Sequence, residues 1–165
     1  MIAISEATVS DIKQIQHIVD ITWPITYGEI LSKEQLDYML ALFYSEEALT
    51  EQFAKGEQLF YRVDEGASTV GFIGIEHQYK GQAITKIHKI YLLPETQGKG
   101  IGKKVMEEIE RLGAENNSNA LSLNVNRFNP AIGFYKKIGF EVIGESDLDI
   151  GNGYLMEDFV MEKKF

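Results

Sequence analysis

The amino-acid sequence predicts an α/β fold of the α+β kind, with segments in the order β-α-α-β-β-β-α-β-α-β-β. Helical periodicity dominates the first third of the chain, three apolar β-branched segments follow in succession, and helical and strand segments then alternate. With 165 residues, 44% of them hydrophobic, the chain can bury a sizeable core. We therefore expect a single domain, residues 1–165.

The first helices are predicted from their caps. After a short strand at AISEA, Thr8 and Asp11 have the spacing of a capping box and precede apolar residues at helical spacing. Pro24 is expected to interrupt this helix. Ser32 is the predicted cap of a second helix, and Ser45 is a candidate cap for a further one.

The central part of the chain is typical of an antiparallel meander. The segments EQLFYRVD, STVGFIGIEHQY and QAITKIHKIYLL are separated by the short turns DEGA and KG. A helix over about 101–116 and a strand at ALSLNV follow. Pro130 then marks the start of a last helix and Gly139 its end, before two terminal strands at FEVIGE and YLMEDFVMEKKF.

Composition excludes several classes of function. The chain has no cysteine, and its three histidines, His17, His77 and His88, lack metal-ligand spacing, so we expect no metal. A net charge of −9 disfavours nucleic acid as a partner and is compatible with a cationic small molecule. No apolar run is long enough to cross a bilayer, and the start of the chain lacks the features of a secretory signal, so we expect a cytoplasmic protein.

Three glycines in PETQGKGIGKK indicate an anion site. Gly98, Gly100 and Gly102 lie between a predicted strand and a helix, where the first turn leaves backbone N–H groups unpaired and the helix dipole favours negative charge. The spacing does not fit the Walker A loop, which needs four residues between its glycines, and Lys103 stands where the Rossmann fingerprint needs its third glycine.

The stretch from Gln97 to Gly102 does match the pattern Q-x-x-G-x-G, and a second block, NPAIGFYKKIGF, spans residues 129–140. Together these motifs resemble those of the GNAT superfamily of acyl-CoA-dependent N-acetyltransferases. The resemblance covers about residues 70–142. Asn129 lies one residue nearer Tyr135 than in the commonest form of the second block.

The resemblance implies a central, mixed, mostly antiparallel sheet of six to seven strands, flanked by helices on both faces. It also implies acetyl-CoA as co-substrate, with its pyrophosphate on the glycine turn and its pantetheine arm along the backbone of the preceding strand. The expected cofactor-binding residues are Ile90, Tyr91, Leu92, Gln97, Gly98, Lys99, Gly100, Ile101, Gly102, Lys103, Asn129 and Phe134.

Transfer of an acetyl group to an amine requires a neutral amine, yet only about one alkylamine molecule in 2,500 is neutral at pH 7. A base or a water relay is therefore expected. His88 is one candidate, although it could equally be a solvent-facing strand residue, and Glu76 is the second. The resemblance implies that Tyr135 protonates the departing thiolate; the alternative is an aromatic residue that merely packs.

The acceptor is expected to be a primary amine, with a polyamine or another small cationic amine as the first candidate. Residues 29–51 hold six acidic side chains against one lysine, which could attract a polycation or simply form a solvated surface. The N-terminal half and the last residues loosely resemble bacterial polyamine acetyltransferases. Trp23 and Tyr27 could line the acceptor cleft, or belong to the core.

The sequence thus predicts an enzyme that transfers the acetyl group directly from acetyl-CoA to an amine, because no cysteine is present to form an acetyl-enzyme. Three alternatives stay open: protein N-termini as acceptors, an aminoglycoside as acceptor, and a non-catalytic CoA-binding sensor. The family resemblance is also compatible with a homodimer formed through the last strands. The acyl chain length limit is left open.

Overall fold

The computed structural model describes residues Met1–Phe165 and contains seven strands and five α-helices. The strands are β1 (Ile2–Glu6), β2 (Leu59–Glu65), β3 (Ser68–Glu76), β4 (Ile84–Leu92), β5 (Ala120–Asn126), β6 (Glu141–Gly151) and β7 (Tyr154–Lys164). The helices are α1 (Ile12–Tyr27), α2 (Lys33–Tyr44), α3 (Glu46–Lys55), α4 (Ile101–Glu115) and α5 (Ala131–Lys137).

All seven strands form one sheet in the order β1-β2-β3-β4-β5-β7-β6. Only β4 and β5 are parallel, joined by the crossover through α4, and every other neighbouring pair is antiparallel. Helices α1, α2 and α3 pack on one face around Ile15, Leu49 and Phe72, and α4 and α5 pack on the other around Ile109 and Leu121. The predicted mixed, mostly antiparallel sheet with helices on both faces is confirmed.

The predicted caps form as expected at the N-terminal helices. The Asp11 carboxylate accepts a hydrogen bond from the Thr8 backbone N–H at 2.8 Å, and Ser32 caps α2. Ser45 caps α3, a helix that the predicted element order did not include. No helix combines the length and the apolar character that crossing a membrane would require.

The expected interruption of α1 at Pro24 was wrong, because the helix runs through this residue to Tyr27. A proline within a helix removes the hydrogen bond to the carbonyl four residues earlier, here that of Asp20. Asp20 is exposed, so water can take the place of the missing donor. The Gly28 backbone N–H restores the pattern by donating to the Pro24 carbonyl at 2.9 Å.

A β-bulge in β4 determines which side chains face the helices α1 to α3. Gly74 pairs with Lys89, but the next residue of β3, Ile75, pairs with Ile87, so His88 is the extra residue of β4. Ile87 and Ile90 therefore both pack on the α4 side of the sheet. Without the bulge, strict alternation would place Lys89 on the same side as Ile87.

The close approach of β3 to β4 requires glycine at position 71. A Cβ on Gly71 would lie 2.6 Å from the Tyr91 carbonyl oxygen and 2.5 Å from a Leu92 methyl carbon. We predict that Gly71→Ala lowers the free energy of unfolding by about 1–3 kcal/mol, because backbone and core must shift. Urea denaturation measures this change. Gly133→Ala is the control: no atom lies within 4 Å of its added Cβ, so equal losses in both variants would contradict the explanation.

Candidate active site

Strands β4 and β5 separate halfway along their length. They pair only from Ile84 to Ile87, against Ala120 to Leu123, and the rest of β4 has no partner on that side. The backbone of residues 88–92 on this side is therefore free to pair with an extended ligand. We call this opening the seam; the predicted residues Ile90, Tyr91 and Leu92 all lie along it.

The glycine turn follows β4 and leads into α4. Gly98 and Gly100 have φ of +78° and +71°, and α4 begins at Ile101. Five backbone N–H groups of this turn have no acceptor within the chain: those of Gly98, Gly100, Ile101, Gly102 and Lys103. Such a group of free donors at a helix N-terminus can bind a phosphate.

The other predicted cofactor residues are arranged around this turn. The Phe134 ring lies against Gly102, where an added Cβ would be 3.2 Å away, so the second sequence block contacts the first. Asn129 Oδ1 accepts from the Ala131 N–H at 2.8 Å and so organises the start of α5. Gln97 is exposed at the beginning of the turn.

The two lysines of the turn differ in their surroundings. Lys99 Nζ lies 3.3 Å from a carboxylate oxygen of Glu65, whereas Lys103 makes no ion pair, not even with Glu107 one turn later. Lys103 borders a second cavity between α4 and α5, of about 440 Å³. The charge of Lys103 is therefore the more available of the two.

Tyr135 lies on α5, 9% exposed, with its ring edge-on to Phe134 at 5.7 Å. Burial raises the pKa of the Tyr135 hydroxyl, and the neighbouring Tyr27 raises it further. The Tyr27 and Tyr91 hydroxyls are 3.4 Å apart and line the cavity described next. Tyr135 thus stays protonated at neutral pH, close to hydroxyls that belong to that cavity.

A cavity of about 480 Å³ lies between the sheet and helices α1 and α2. Its walls are largely apolar and aromatic, and most of its polar groups lie on strands β4, β5, β6 and β7, with Gln35, Gln52 and Gln58 on the helix side. Besides the predicted Trp23, Tyr27, Tyr91 and His88, the lining includes Tyr44, Tyr79, Lys86, Lys89, Asn124, Asn126, Ser146 and Asp158. A cavity of this size and polarity is typical of a small-molecule site.

The structure brings together the two predicted candidates for the base. His88 Nε2 lies 2.8 Å from Glu76 Oε1, and the histidine side chain is 25% exposed. Burial lowers the pKa of His88, and this effect outweighs the hydrogen bond and the charge of Glu76, which raise it. If Nε2–H donates to the carboxylate, Nδ1 carries the lone pair of a neutral imidazole and can accept a proton.

Two buried lysines add positive charge to the β4 side of the cavity. Lys86 Nζ donates to Asn124 Oδ1, and Lys89 Nζ donates to Gln58 Oε1 at 2.9 Å. Burial lowers the pKa of each to about 8, so both remain largely protonated at pH 7. Sequence reasoning missed them because Lys86 and Lys89 look like ordinary polar positions of a strand.

On the other side of the cavity, Asp158 of β7 is 7% exposed. Burial raises the pKa of its carboxyl to about 6, while the charges of Arg127 and Lys86 lower it. Neither cation lies within ion-pair distance of the Asp158 carboxylate. Arg127 instead contacts Asp147 and Glu145. No sequence pattern distinguished Asp158 from the exposed Glu157 beside it.

Trp23 belongs to the core and also lines the cavity. It is 4% exposed, packs within the core and lines the cavity, with its ring 4.8 Å from that of Tyr27 and 5.5 Å from that of Tyr44. The six acidic residues of segment 29–51, by contrast, are all exposed and none lines the cavity. The apolar faces of α2 and α3 turn inward, which leaves these carboxylates on the outer surface.

The chain is similar to known proteins in sequence and in fold. Residues 29–162 match the family model described as an acetyltransferase (GNAT) domain. The chain is 27% identical to spermidine N(1)-acetyltransferase of Thermoplasma acidophilum over 99% of this chain and 98% of that protein. It is 31% identical to the peptidyl-lysine N-acetyltransferase YjaB of Escherichia coli over 72% of this chain and 74% of the relative.

Among solved structures, the PaiA N-acetyltransferase of Thermoplasma acidophilum in complex with coenzyme A superposes with a TM-score of 0.82. The identity is 27%, and the match covers 100% of this chain and 99% of that one. A GCN5-related N-acetyltransferase from Rhodopseudomonas palustris reaches the same TM-score at 18% identity over 99% and 95% of the two chains, which is a likeness of fold.

The contact between His88 and Glu76 allows a direct test by NMR. We predict that the imidazole of His88 titrates below its ordinary pKa of about 6.5, because desolvation disfavours the charged ring. Glu76→Gln removes a neighbouring negative charge and lowers the pKa further. Glu47→Gln, on the exposed surface of α3, is the matched control. A His88 pKa above 6.5, or one that Glu76→Gln raises, would contradict this account.

Proposed function

The chain belongs to the acetyltransferase (GNAT) family and is an acyltransferase that acetylates an amine, and from this premise we propose how its residues divide the work. The observation that carries the proposal is the seam between β4 and β5, which has a phosphate-type turn at its end and a cavity with a histidine–carboxylate pair on one face. Acetyl-CoA would occupy the seam and the acceptor amine the cavity.

The glycine turn is the proposed site for the pyrophosphate of acetyl-CoA. Its free N–H groups supply hydrogen bonds, and the unpaired Lys103 supplies charge. The open backbone of β4 from Ile90 to Leu92 would pair with the pantetheine arm, and a main-chain N–H there would polarise the thioester carbonyl. No residue cluster suited to a metal ion is present, and none is required for this chemistry.

The His88–Glu76 pair is the proposed base. The amine nitrogen attacks the thioester carbonyl carbon, the C–N bond forms, and the C–S bond breaks as the tetrahedral intermediate collapses. The proton lost by the amine passes to His88 Nδ1, directly or through water, while Glu76 holds the ring and stabilises the imidazolium. A depressed histidine pKa keeps the base neutral at physiological pH.

Tyr135 is the proposed acid for the departing thiolate. Its raised pKa keeps the hydroxyl protonated until the thiolate forms, and the phenolate is then reprotonated from solvent. The hydroxyl lies near those of Tyr27 and Tyr91, which can relay hydrogen bonds into the cavity. Trp23 and Tyr27 are the proposed aromatic wall for the acceptor.

The acceptor is proposed to be a primary alkylamine, with polyamines as the first class to test. Both named relatives act on such amines, spermidine in one case and peptidyl lysine in the other. A cavity of about 480 Å³ suits a small acceptor better than a protein segment or an aminoglycoside. A panel of polyamines, aminoglycosides and N-terminal peptides, with thiol release as readout, distinguishes these acceptors, and tight CoA binding without turnover would indicate a sensor.

A homodimer formed through the last strands is part of the proposal. Strand β6 is an edge of the sheet, and Val142 and Ile143 on this strand are exposed large apolar residues outside the cavity. The proposed location is the cytoplasm, which agrees with a chain that has no cysteine for disulfides. Sedimentation analysis at several concentrations measures the oligomeric state.

Tyr135→Phe tests the proposed acid. We predict that this change lowers kcat about 10²- to 10⁴-fold and leaves the KM for acetyl-CoA near its original value, because only the proton donor is lost. Tyr61→Phe is the matched control, since Tyr61 is also buried in the α4-side core, at 8% exposure, and lies outside the cavity. Loss of activity in both variants would indicate a packing role for Tyr135 instead.

His88→Gln tests the proposed base through the pH dependence of kcat. In the original enzyme kcat should fall as the pH drops through the pKa of His88, below about 6.5, because a protonated ring cannot accept a proton. We predict that His88→Gln lowers kcat about 10²-fold or more at neutral pH and removes this acidic limb. His77→Gln is the control, since His77 contacts Thr85 and does not line the cavity. An unchanged acidic limb in His88→Gln would exclude His88 as the base.

A further inference from the structure

Asp158 stands out because its charge is buried but unused. The residue is 7% exposed, and its carboxylate forms no hydrogen bond and no ion pair within the chain. Its oxygens are not completely enclosed by protein atoms. Because Asp158 lines the cavity, these oxygens can be reached from it. A buried carboxylate is normally paired, because an isolated one is costly to desolvate. An absent partner therefore points to a cationic ligand.

Arg127 and Lys86, the two cations whose charges lower the pKa of Asp158, are both committed elsewhere. Arg127 contacts Asp147 and Glu145, and Lys86 donates to Asn124. Tyr27 is close enough for the charge of Asp158 to contribute to the raised pKa of its hydroxyl. The carboxylate therefore faces the same part of the cavity as Tyr27.

The charges of the cavity are thus separated. Lys86 and Lys89 make the β4 side positive, and Asp158 makes the β7 side negative, with β5 between them. Where the three strands are paired, two strand spacings separate β4 from β7, roughly 10 Å, and the seam adds to this distance beyond Ile87. An ammonium group is repelled beside β4 and attracted beside β7, so an amine that carries two nitrogens gains a defined orientation.

We propose that Asp158 binds a second ammonium group of the acceptor and so makes the enzyme selective for diamines and polyamines over monoamines. This inference rests on the proposed function, since it assigns a role to the far end of the acceptor whose near end is acetylated. Lys86 and Lys89 contribute at the near end, because like charges lower the pKa of the reacting amine and favour its neutral form. Asp158 is a specificity residue in this scheme and takes no part in the proton transfers.

The test compares hexamethylenediamine with hexylamine, which share a carbon chain and differ by one amine. In the original enzyme kcat/KM should be at least tenfold higher for the diamine. Asp158→Asn should remove this preference by raising the KM for the diamine about tenfold or more, with kcat and the constants for hexylamine within about twofold. Glu157→Gln, which removes the same charge from the adjacent exposed position, should leave both acceptors unaffected.

Two kinetic results would overturn the proposal. One is an equal loss of kcat with both amines in Asp158→Asn, because this would place Asp158 at the reacting nitrogen or in the fold itself. The other is an unchanged preference for the diamine in that variant. Thermal denaturation of Asp158→Asn checks that the variant is folded, and spermidine in place of hexamethylenediamine should give the same pattern.

Calorimetric titration of the same two amines into the protein saturated with CoA gives a readout that does not need turnover. Tighter binding of the diamine than of the monoamine, lost in Asp158→Asn and retained in Glu157→Gln, supports the role of Asp158. If the same protein shows no acetylation, the proposed function is wrong but the role of Asp158 in binding stands. If the unmutated protein acetylates both amines and binds them with equal affinity, the proposed function stands and the proposed role of Asp158 is wrong.

Discussion

The separation of β4 from β5 is the structural feature on which the rest of the site depends. A continuous parallel ladder would satisfy the backbone of β4 along its whole length and leave no place for an extended ligand. Here pairing stops after Ile87, while β5 continues to pair with β7 on its other side. The seam is therefore flanked by paired strands on both sides, β4 with β3 and β5 with β7. It connects the glycine turn at its end with the cavity under α1 and α2.

The bulge at His88 adds a second constraint, because it reverses the alternation of β4 at the point where the seam begins. His88 and Lys89 both line the cavity, although they are consecutive, and Ile90 returns to the core on the α4 side. Gly74 makes room for this arrangement, since a Cβ there would lie 2.8 Å from Gln58 Oε1 and 3.4 Å from Lys89 Cδ. Pairing and packing together thus bring a base candidate and a buried cation to one surface.

Local signals in the sequence were enough to predict the element order apart from α3, most of the caps and the glycine turn, because each depends on a few neighbouring residues. Pro24 misled, since its effect depends on whether water can reach the Asp20 carbonyl. The contact of His88 with Glu76 depends on a bulge that period-two alternation cannot reveal. The proposed role of Asp158 was equally hidden from sequence reasoning. Its position depends on the pairing of β7 with β5, a strand that is not adjacent to β7 in the chain.

The separated charges of the cavity are consistent with the proposed role of Asp158 in binding the acceptor. Lys86 and Asp158 have opposite charges and face one cavity, yet the width of β5 keeps them apart, and Lys86 is bound instead by a neutral amide. Burial in this form costs stability, because neither charge receives the full compensation of an ion pair. If the fold needed only stability, apolar residues at these positions would serve it better. In the proposed complex, a cation on β4 and a carboxylate on β7 would create a field along the acceptor that favours a neutral nitrogen at β4 and a charged nitrogen at β7. This field links the choice of substrate to the deprotonation that the reaction requires.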